Sequence, residues 1–136
     1  MNDLAAESVA HAFIRAINRQ DVDAIVALMT DQHRFIDSLG KIFDGPETMR
    51  RGWTKYFQMV PDYTVAVEET LCDGPVVVML GIAEGTYAPH GQPKVENHWT
   101  TPTAFRAFIE DGKVAEWRVY CDNDPIRQRI HAASGS

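Results

Sequence analysis

The hydrophobic period of this chain changes once, and that change limits the folds open to it. As far as Gln58 the apolar side chains recur at three- and four-residue steps; from Tyr63 to Cys121 they alternate. The first spacing gives amphipathic helices, the second half-buried strands. Helices followed by a run of strands specify an α+β domain with an antiparallel sheet, not the parallel sheet of βαβ units. At 136 residues the chain can bury one core, so a single domain over residues 1–136 is expected. A bent sheet of about four long strands and a short one, around three helices, would leave an apolar hollow.

Helical spacing covers Asp3 to Asn18, where Val9, Ala12, Phe13, Ala16 and Ile17 recur on one stripe. Asp21 suits the cap of a second helix, Val22 to Met29, with Ile25, Leu28 and Met29 inward. A first strand is expected from His33 to Leu39, closed by Gly40. Pro46 opens a third helix to Gln58 that carries Trp53, Tyr56 and Phe57. Strands follow over Tyr63–Leu71, Val76–Tyr87, Lys94–Ile109 and Val114–Cys121, with turns at Asp73-Gly74 and Asp111-Gly112. Gly81 and Gly85 mark bulges in the second of these strands, and Pro102 a bulge or an edge in the third. Asn123-Asp124-Pro125 starts a short terminal helix, Ile126–Ala132, and residues 133–136 read as a flexible tail.

Composition removes several function classes. A net charge of −6 argues against nucleic acid or an anionic membrane as partner. No apolar run reaches the roughly 18 residues of a membrane helix. Met1-Asn2-Asp3-Leu4 lacks the basic-then-apolar pattern of a secretory signal, so a cytoplasmic location is expected. Cys72 and Cys121 lie in no CxxC or Cys/His cluster and read as buried reduced thiols. His33, His90 and His98 show no metal-ligand spacing, and there is no Gly-rich phosphate loop, so neither metal nor cofactor is expected.

One stretch resists a purely structural reading. Alternation puts Phe35, Asp37 and Leu39 on one strand face. Phe35 and Leu39 seek a core, and a carboxylate on that face needs a partner or a task. Asp37 is therefore a candidate general base, or else a strand-end residue that bonds backbone amides or pairs with an arginine. His98 is its candidate acid–base partner if the face it shares with Thr100, Pro102 and Ala104 lines the hollow; otherwise it is a surface histidine, as His33 and His90 are expected to be, or a core one bonded to a backbone carbonyl. Tyr120 and Asp122 are candidates for a phenol donor and a second acid. Alternation favours Trp117, Val119 and Cys121 as the inward set, so a bulge would have to turn Tyr120 inward. Asp122 otherwise caps the terminal helix or pairs with Arg118 or Arg127. Trp53, Tyr56, Phe13, Phe35, Trp99 and Trp117 are candidate walls for a small hydrophobic ligand.

Five segments carry a further signal: the helix pair Phe13-Ile14-Arg15-Ala16-Ile17-Asn18 and Asp21-Val22-Asp23-Ala24-Ile25, then Phe35-Ile36-Asp37-Ser38-Leu39-Gly40, Asp44-Gly45-Pro46-Glu47, Asp111-Gly112-Lys113-Val114, and Trp117-Arg118-Val119-Tyr120-Cys121-Asp122. Together they resemble the nuclear transport factor 2-like superfamily, in its SnoaL-like polyketide cyclase and ketosteroid isomerase-like branch. The resemblance spans nearly the whole chain. It implies a cone-shaped, strongly curved antiparallel sheet wrapped around three N-terminal helices (cystatin-like), a short C-terminal helix, and a homodimer joined through the convex sheet face.

For Asp37 the resemblance implies the proton-moving carboxylate of ketosteroid isomerases. The oxyanion donors of that branch have no counterpart, because Phe13 stands at the tyrosine position and Ala104, or Thr103 with a one-residue shift, at the protonated aspartate. Asp122 matches the aspartate closing the last strand of limonene-epoxide hydrolases and cyclases, but Pro102-Thr103-Ala104 replaces the hydrolases' Arg-x-Asp. A His98/Asp37 pair resembles dehydratase and dehydrochlorinase members. The implied activity is cofactor-independent acid–base chemistry (isomerisation, dehydration or cyclisation) on a small hydrophobic carbonyl or hydroxyl compound. The alternative is a non-catalytic module of the same fold that binds a hydrophobic ligand or dimerises.

Overall fold

The computed structural model describes residues 3–134. Helix α1 spans Asp3–Asn18 and buries Ala6, Ala10, Phe13 and Ile17 along one stripe. Helix α2, Val22–Ala27, is capped by Asp21, whose side chain accepts from the Ala24 amide at 3.1 Å. The helix is shorter than the spacing suggests. Met29 stays in the core but opens strand β1, Met29–Ile36, instead of closing α2. Strand β2, Ile42–Asp44, folds back on β1. Helix α3, Pro46–Met59, buries Met49, Trp53 and Phe57 at four-residue spacing.

Strands β3 (Thr64–Asp73), β4 (Val76–Thr86), β5 (His98–Glu110) and β6 (Lys113–Cys121) follow as antiparallel neighbours, and helix α4, Asp124–Ser134, ends the described chain. Ala133 and Ser134, expected in a flexible tail, thus belong to α4; Gly135 and Ser136 lie outside the described residues. The six-stranded sheet has the order β2-β1-β6-β5-β4-β3. It is curved and unclosed, with α1 packed across β3–β6, α3 against β1 and β2, and α4 against β5. Cys72 and Cys121 are half-buried thiols that form no disulfide. No helix among the described residues is long and apolar enough to cross a membrane.

One pairing departs from the expected antiparallel sheet: β1 runs parallel to β6. Parallel neighbours need a long connection, and the chain from β2 to β5 supplies it. The consequence is spatial. Both strands finish at the same end of the sheet, so the residues after β1 and those after β6 arrive together.

The start of β1 is irregular as well. It advances from Met29 to Arg34 while β6 advances only from Val114 to Glu116. His33 lies within this stretch and turns into the core, where it is 0% exposed. Its Nδ1–H donates to the Val114 carbonyl at 2.7 Å, satisfying an acceptor the irregular ladder would strand. The expectation of a surface histidine at this position is therefore corrected. Burial pushes the His33 pKa down, against the raising effects of the Val114 bond and Glu116. Leu39 is corrected in the opposite sense. The strand ends at Ile36, and Leu39 is 72% exposed in the following turn.

The bulge expected near Gly81 lies across the ladder, in β3 between Val67 and Glu69. A Cβ on Gly81 would sit 2.0 Å from the Ala66 carbonyl oxygen, so only glycine allows this approach. Pro102 pairs with β4 alone, because β6 joins β5 only from Thr103 onward.

Candidate active site

Alternation along β5 and β6 decides what the hollow of the sheet contains. Trp99, Thr101, Thr103 and Phe105 of β5, with Val119 and Cys121 of β6, face inward and meet Trp53 and Tyr56 of α3 and Tyr63 ahead of β3. They enclose a cavity of about 330 Å³, within the size range of small-molecule sites. Its aromatic wall is continuous. Phe35 lies 6.2 Å from Trp53, Trp53 6.4 Å from Tyr56, Tyr56 5.0 Å from Tyr63, and Tyr63 6.1 Å from Trp99, between ring centroids. The first three contacts are edge to face, an arrangement aromatic pairs prefer.

The polar end of the cavity is where β1 and β6 finish. Asp37 and Ser38 arrive from one strand, Asp122 and Asn123 from the other. The Asn123 amide nitrogen donates to the Ser38 hydroxyl, tying the two chain ends together. The Cys121 thiol donates to Asn123 Oδ1 at 3.2 Å. Burial pushes this thiol's pKa up, more than contacts with Ser38 and Thr103 pull it down. Asp37 is half-buried. Its Oδ1 accepts from the Leu39 and Lys41 amides, each at 2.9 Å. Oδ2 takes no hydrogen bond from the described residues.

Charge is one-sided here. Asp37 and Asp122 line the cavity, while no described Lys, Arg or His does. The phenols of the wall are neutral donors, because burial pushes the Tyr56 and Tyr63 pKa values well above the ordinary range. No three described His, Cys, Asp or Glu side chains gather as a metal site.

The residues singled out from sequence divide into two groups. Asp37, Phe35, Trp53, Tyr56, Trp99 and Asp122 line the cavity. Asp122 sits at the exposed rim, where its Oδ1 accepts from the Asp124 amide at 2.9 Å and so caps α4. Phe13 and Trp117 do not reach the cavity. They pack 4.6 Å apart beneath it, with Trp117 stacked 5.1 Å from Phe105.

His98 and Tyr120 face the other side of the sheet. The His98 side chain is 46% exposed, its Nε2 3.3 Å from the Glu84 carboxylate and its Nδ1 3.1 Å from Thr86 Oγ1. Trp99 takes the inward place, and successive strand residues cannot share a face. No Asp37–His98 dyad forms. Tyr120 is 48% exposed, with the Arg118 guanidinium 4.9 Å from its ring centroid. Pairing of β5 with β6 runs unbroken from Thr103 to Phe108, so no bulge turns Tyr120 inward.

Residue reasoning missed Tyr63, Ser38, Thr101, Thr103 and Asn123 as lining residues. Trp99 alone would have drawn in Thr101 and Thr103 by alternation. Tyr63 carries no local signal, since it lies in the connection between α3 and β3.

Comparison with known proteins agrees with this architecture. No curated protein matches the sequence. A candidate SnoaL-like polyketide cyclase from Jannaschia sp. CCS1 superposes with a TM-score of 0.82 at 21% identity, over 96% of this chain and 94% of that one. AclR, a candidate hydroxylase from Streptomyces galilaeus, gives 0.79 at 16% identity, over 96% and 83%. A cystatin-fold protein from Novosphingobium aromaticivorans gives 0.71 at 27% identity, over 88% and 97%. Residues 10–117 match the SnoaL-like domain, and the chain belongs to that family.

Proposed function

We propose that this protein is a cofactor-independent acid–base enzyme acting on a small hydrophobic carbonyl or hydroxyl compound, with Asp37 as the base. The observation that carries this reading is the half-buried Asp37 carboxylate at the polar end of a cation-free aromatic cavity. Oδ1 is held by the Leu39 and Lys41 amides, which fix the carboxylate's orientation and leave Oδ2 for a proton. Oδ2 takes the proton from the carbon next to a carbonyl. The C–H bond breaks, its electron pair moves onto the carbonyl oxygen as an enolate, and Asp37 becomes a neutral acid. Return of that proton to another carbon is isomerisation; its transfer to a departing β-hydroxyl is dehydration, with loss of water. His98 takes no part. Asp122 supports the reading less, because its Oδ1 already caps α4.

The test uses a ketone with an acidic α-carbon. Proton exchange of 2-tetralone in deuterated buffer, followed by NMR, should be faster with the protein than with buffer alone, and Asp37→Asn should remove the acceleration. Equal rates with wild type and variant would overturn the assignment of Asp37.

A second reading has its own support. The two amide bonds to Oδ1 also suit a structural strand-end aspartate, in which case the cavity binds a hydrophobic ligand without turnover. Naphthyl ligand binding with no exchange in any variant would favour it. Either activity is expected in a homodimer. Leu71 and Tyr120, 54% and 48% exposed on the outer sheet face, support that assembly, and light scattering at twice the 15.3 kDa chain mass would establish it.

A further inference from the structure

The cavity holds more donors than it leaves free. The Thr101 hydroxyl is committed to the Asp122 carbonyl at 3.1 Å. The Asn123 amide donates to the Ser38 hydroxyl, and the Cys121 thiol donates to Asn123. The indole N–H groups of Trp53 and Trp99 are sealed within the wall, as is the Thr103 hydroxyl. Apart from the Thr48 hydroxyl of α3, the side-chain donors left open are two phenols. Neither the Tyr56 nor the Tyr63 hydroxyl has a partner among the described residues, and neither is among the sealed polar atoms. Tyr63 is only 8% exposed and lines the cavity, so the cavity is where its hydroxyl opens. The two rings meet edge to face at 5.0 Å, and both line the cavity together with Cys121. They come from separate elements, α3 and the connection before β3, and converge on one patch of wall.

We infer that Tyr56 and Tyr63 together donate to one carbonyl oxygen of an uncharged ligand, and that the site rejects carboxylates and phosphates. Two phenols on one acceptor are geometrically a place for a carbonyl, and they stabilise it further as charge develops on its oxygen. Burial raises both phenol pKa values, so both keep their protons and remain donors at neutral pH. Selection against anions follows from the lining. An anion entering would lose its water, find no described Lys, Arg or His, and face Asp37 and Asp122. The inference rests on the cavity being the ligand site and names the substrate class for it: a flat, neutral ketone, or a related carbonyl compound, small enough for about 330 Å³.

The test uses three naphthalenes of one shape: 2-acetylnaphthalene with a ¹³C-labelled carbonyl, 2-ethylnaphthalene, and 2-naphthoate. Wild type should bind the ketone with its carbonyl stretch shifted to lower frequency than in hexane. Tyr56→Phe and Tyr63→Phe should each raise that frequency and weaken ketone binding by up to about tenfold, the range of one neutral hydrogen bond. Binding of 2-ethylnaphthalene should be unchanged in both variants, which also reports that the cavity is intact. 2-Naphthoate should bind wild type at least about tenfold more weakly than the ketone.

A carbonyl frequency identical in wild type and both variants would overturn the inference. So would equal loss of ketone and hydrocarbon binding, a naphthoate bound as tightly as the ketone, or no ketone binding by wild type. The Asp37→Asn variant should keep the shifted band. If proton exchange is absent but the band follows the tyrosines, the base assignment fails and the donor pair stands.

Discussion

The two faces of β5 and β6 are built from alternate residues of the same strands, yet they have little in common. The inner face presents Trp99, Thr101, Thr103, Phe105, Val119 and Cys121 to the cavity, above the buried Trp117. The outer face presents His98, Arg106, Arg118 and Tyr120. There the Arg106 guanidinium lies 2.8 Å from the Glu116 carboxylate, and His98 lies against Glu84. Ionic chemistry is plentiful outside and almost absent inside. A half-buried carboxylate such as Asp37 therefore counts for more in the cavity than the several charged groups on the outer face, where water screens each pair. Residue type alone points to the outer face, because a histidine and a tyrosine attract notice. Strand parity points to the inner one.

The contrast can be broken by substitution on either side. The largest expected effect is on stability. Trp117→Ala should cost about 3–5 kcal/mol in urea denaturation, because it empties the layer between Phe13 and Phe105. Tyr120→Ala, on the outer face, should cost no more than about 1 kcal/mol, the scale of its contact with Arg118. Similar costs for the two would mean that the faces are not energetically distinct.

His33 and His98 sharpen the comparison through pH. His33 is buried with a lowered pKa, so the unfolded chain binds its proton more readily than the folded one. Its contribution is fully present above about pH 6.5. As pH falls from there toward the lowered folded value, stability should drop by up to about 1.4 kcal/mol per pH unit. His33→Leu should flatten this slope below about pH 6.5. A slope unchanged in the variant would show that His33 is not the group responsible.

Cys121 gives a smaller, kinetic version of the same contrast. With its thiol pKa pushed up by burial, alkylation by iodoacetamide should be slower in the folded protein than in urea. Bound 2-acetylnaphthalene should slow it again. Labelling as fast as in the unfolded chain would place the thiol outside the cavity. The smallest effect belongs to His98→Ala, which should leave ketone affinity unchanged within the error of a titration.

How far the sequence could be read follows from the same geometry. The helix-to-strand switch, the Asp21 cap, the Pro46 start of α3 and the inward set Trp117, Val119 and Cys121 were all legible, because each rests on local spacing. The alternative role for Asp122, as a helix cap, was legible for the same reason. The parallel pairing of β1 with β6 was not. It depends on where the chain returns after more than seventy residues, and no local pattern records that. The burial of His33 was hidden with it, since the irregular register is a property of the pair of strands. His98 was misassigned because either parity of β5 is compatible with its residues until Trp99 is given the inner place. Tyr63, the second phenol of the wall, sits just ahead of a strand, where periodicity is silent.

One experiment sets the two faces against each other directly. The deuterium exchange of 2-tetralone should be measured side by side for wild type, Asp37→Asn and His98→Gln, each checked for an unchanged melting temperature. With the base in the cavity, wild type and His98→Gln should exchange alike, and Asp37→Asn should fall to the buffer rate, a loss on the order of 10²-fold or more. Exchange that survives Asp37→Asn and is lost in His98→Gln would contradict that placement and move the chemistry to the outer face.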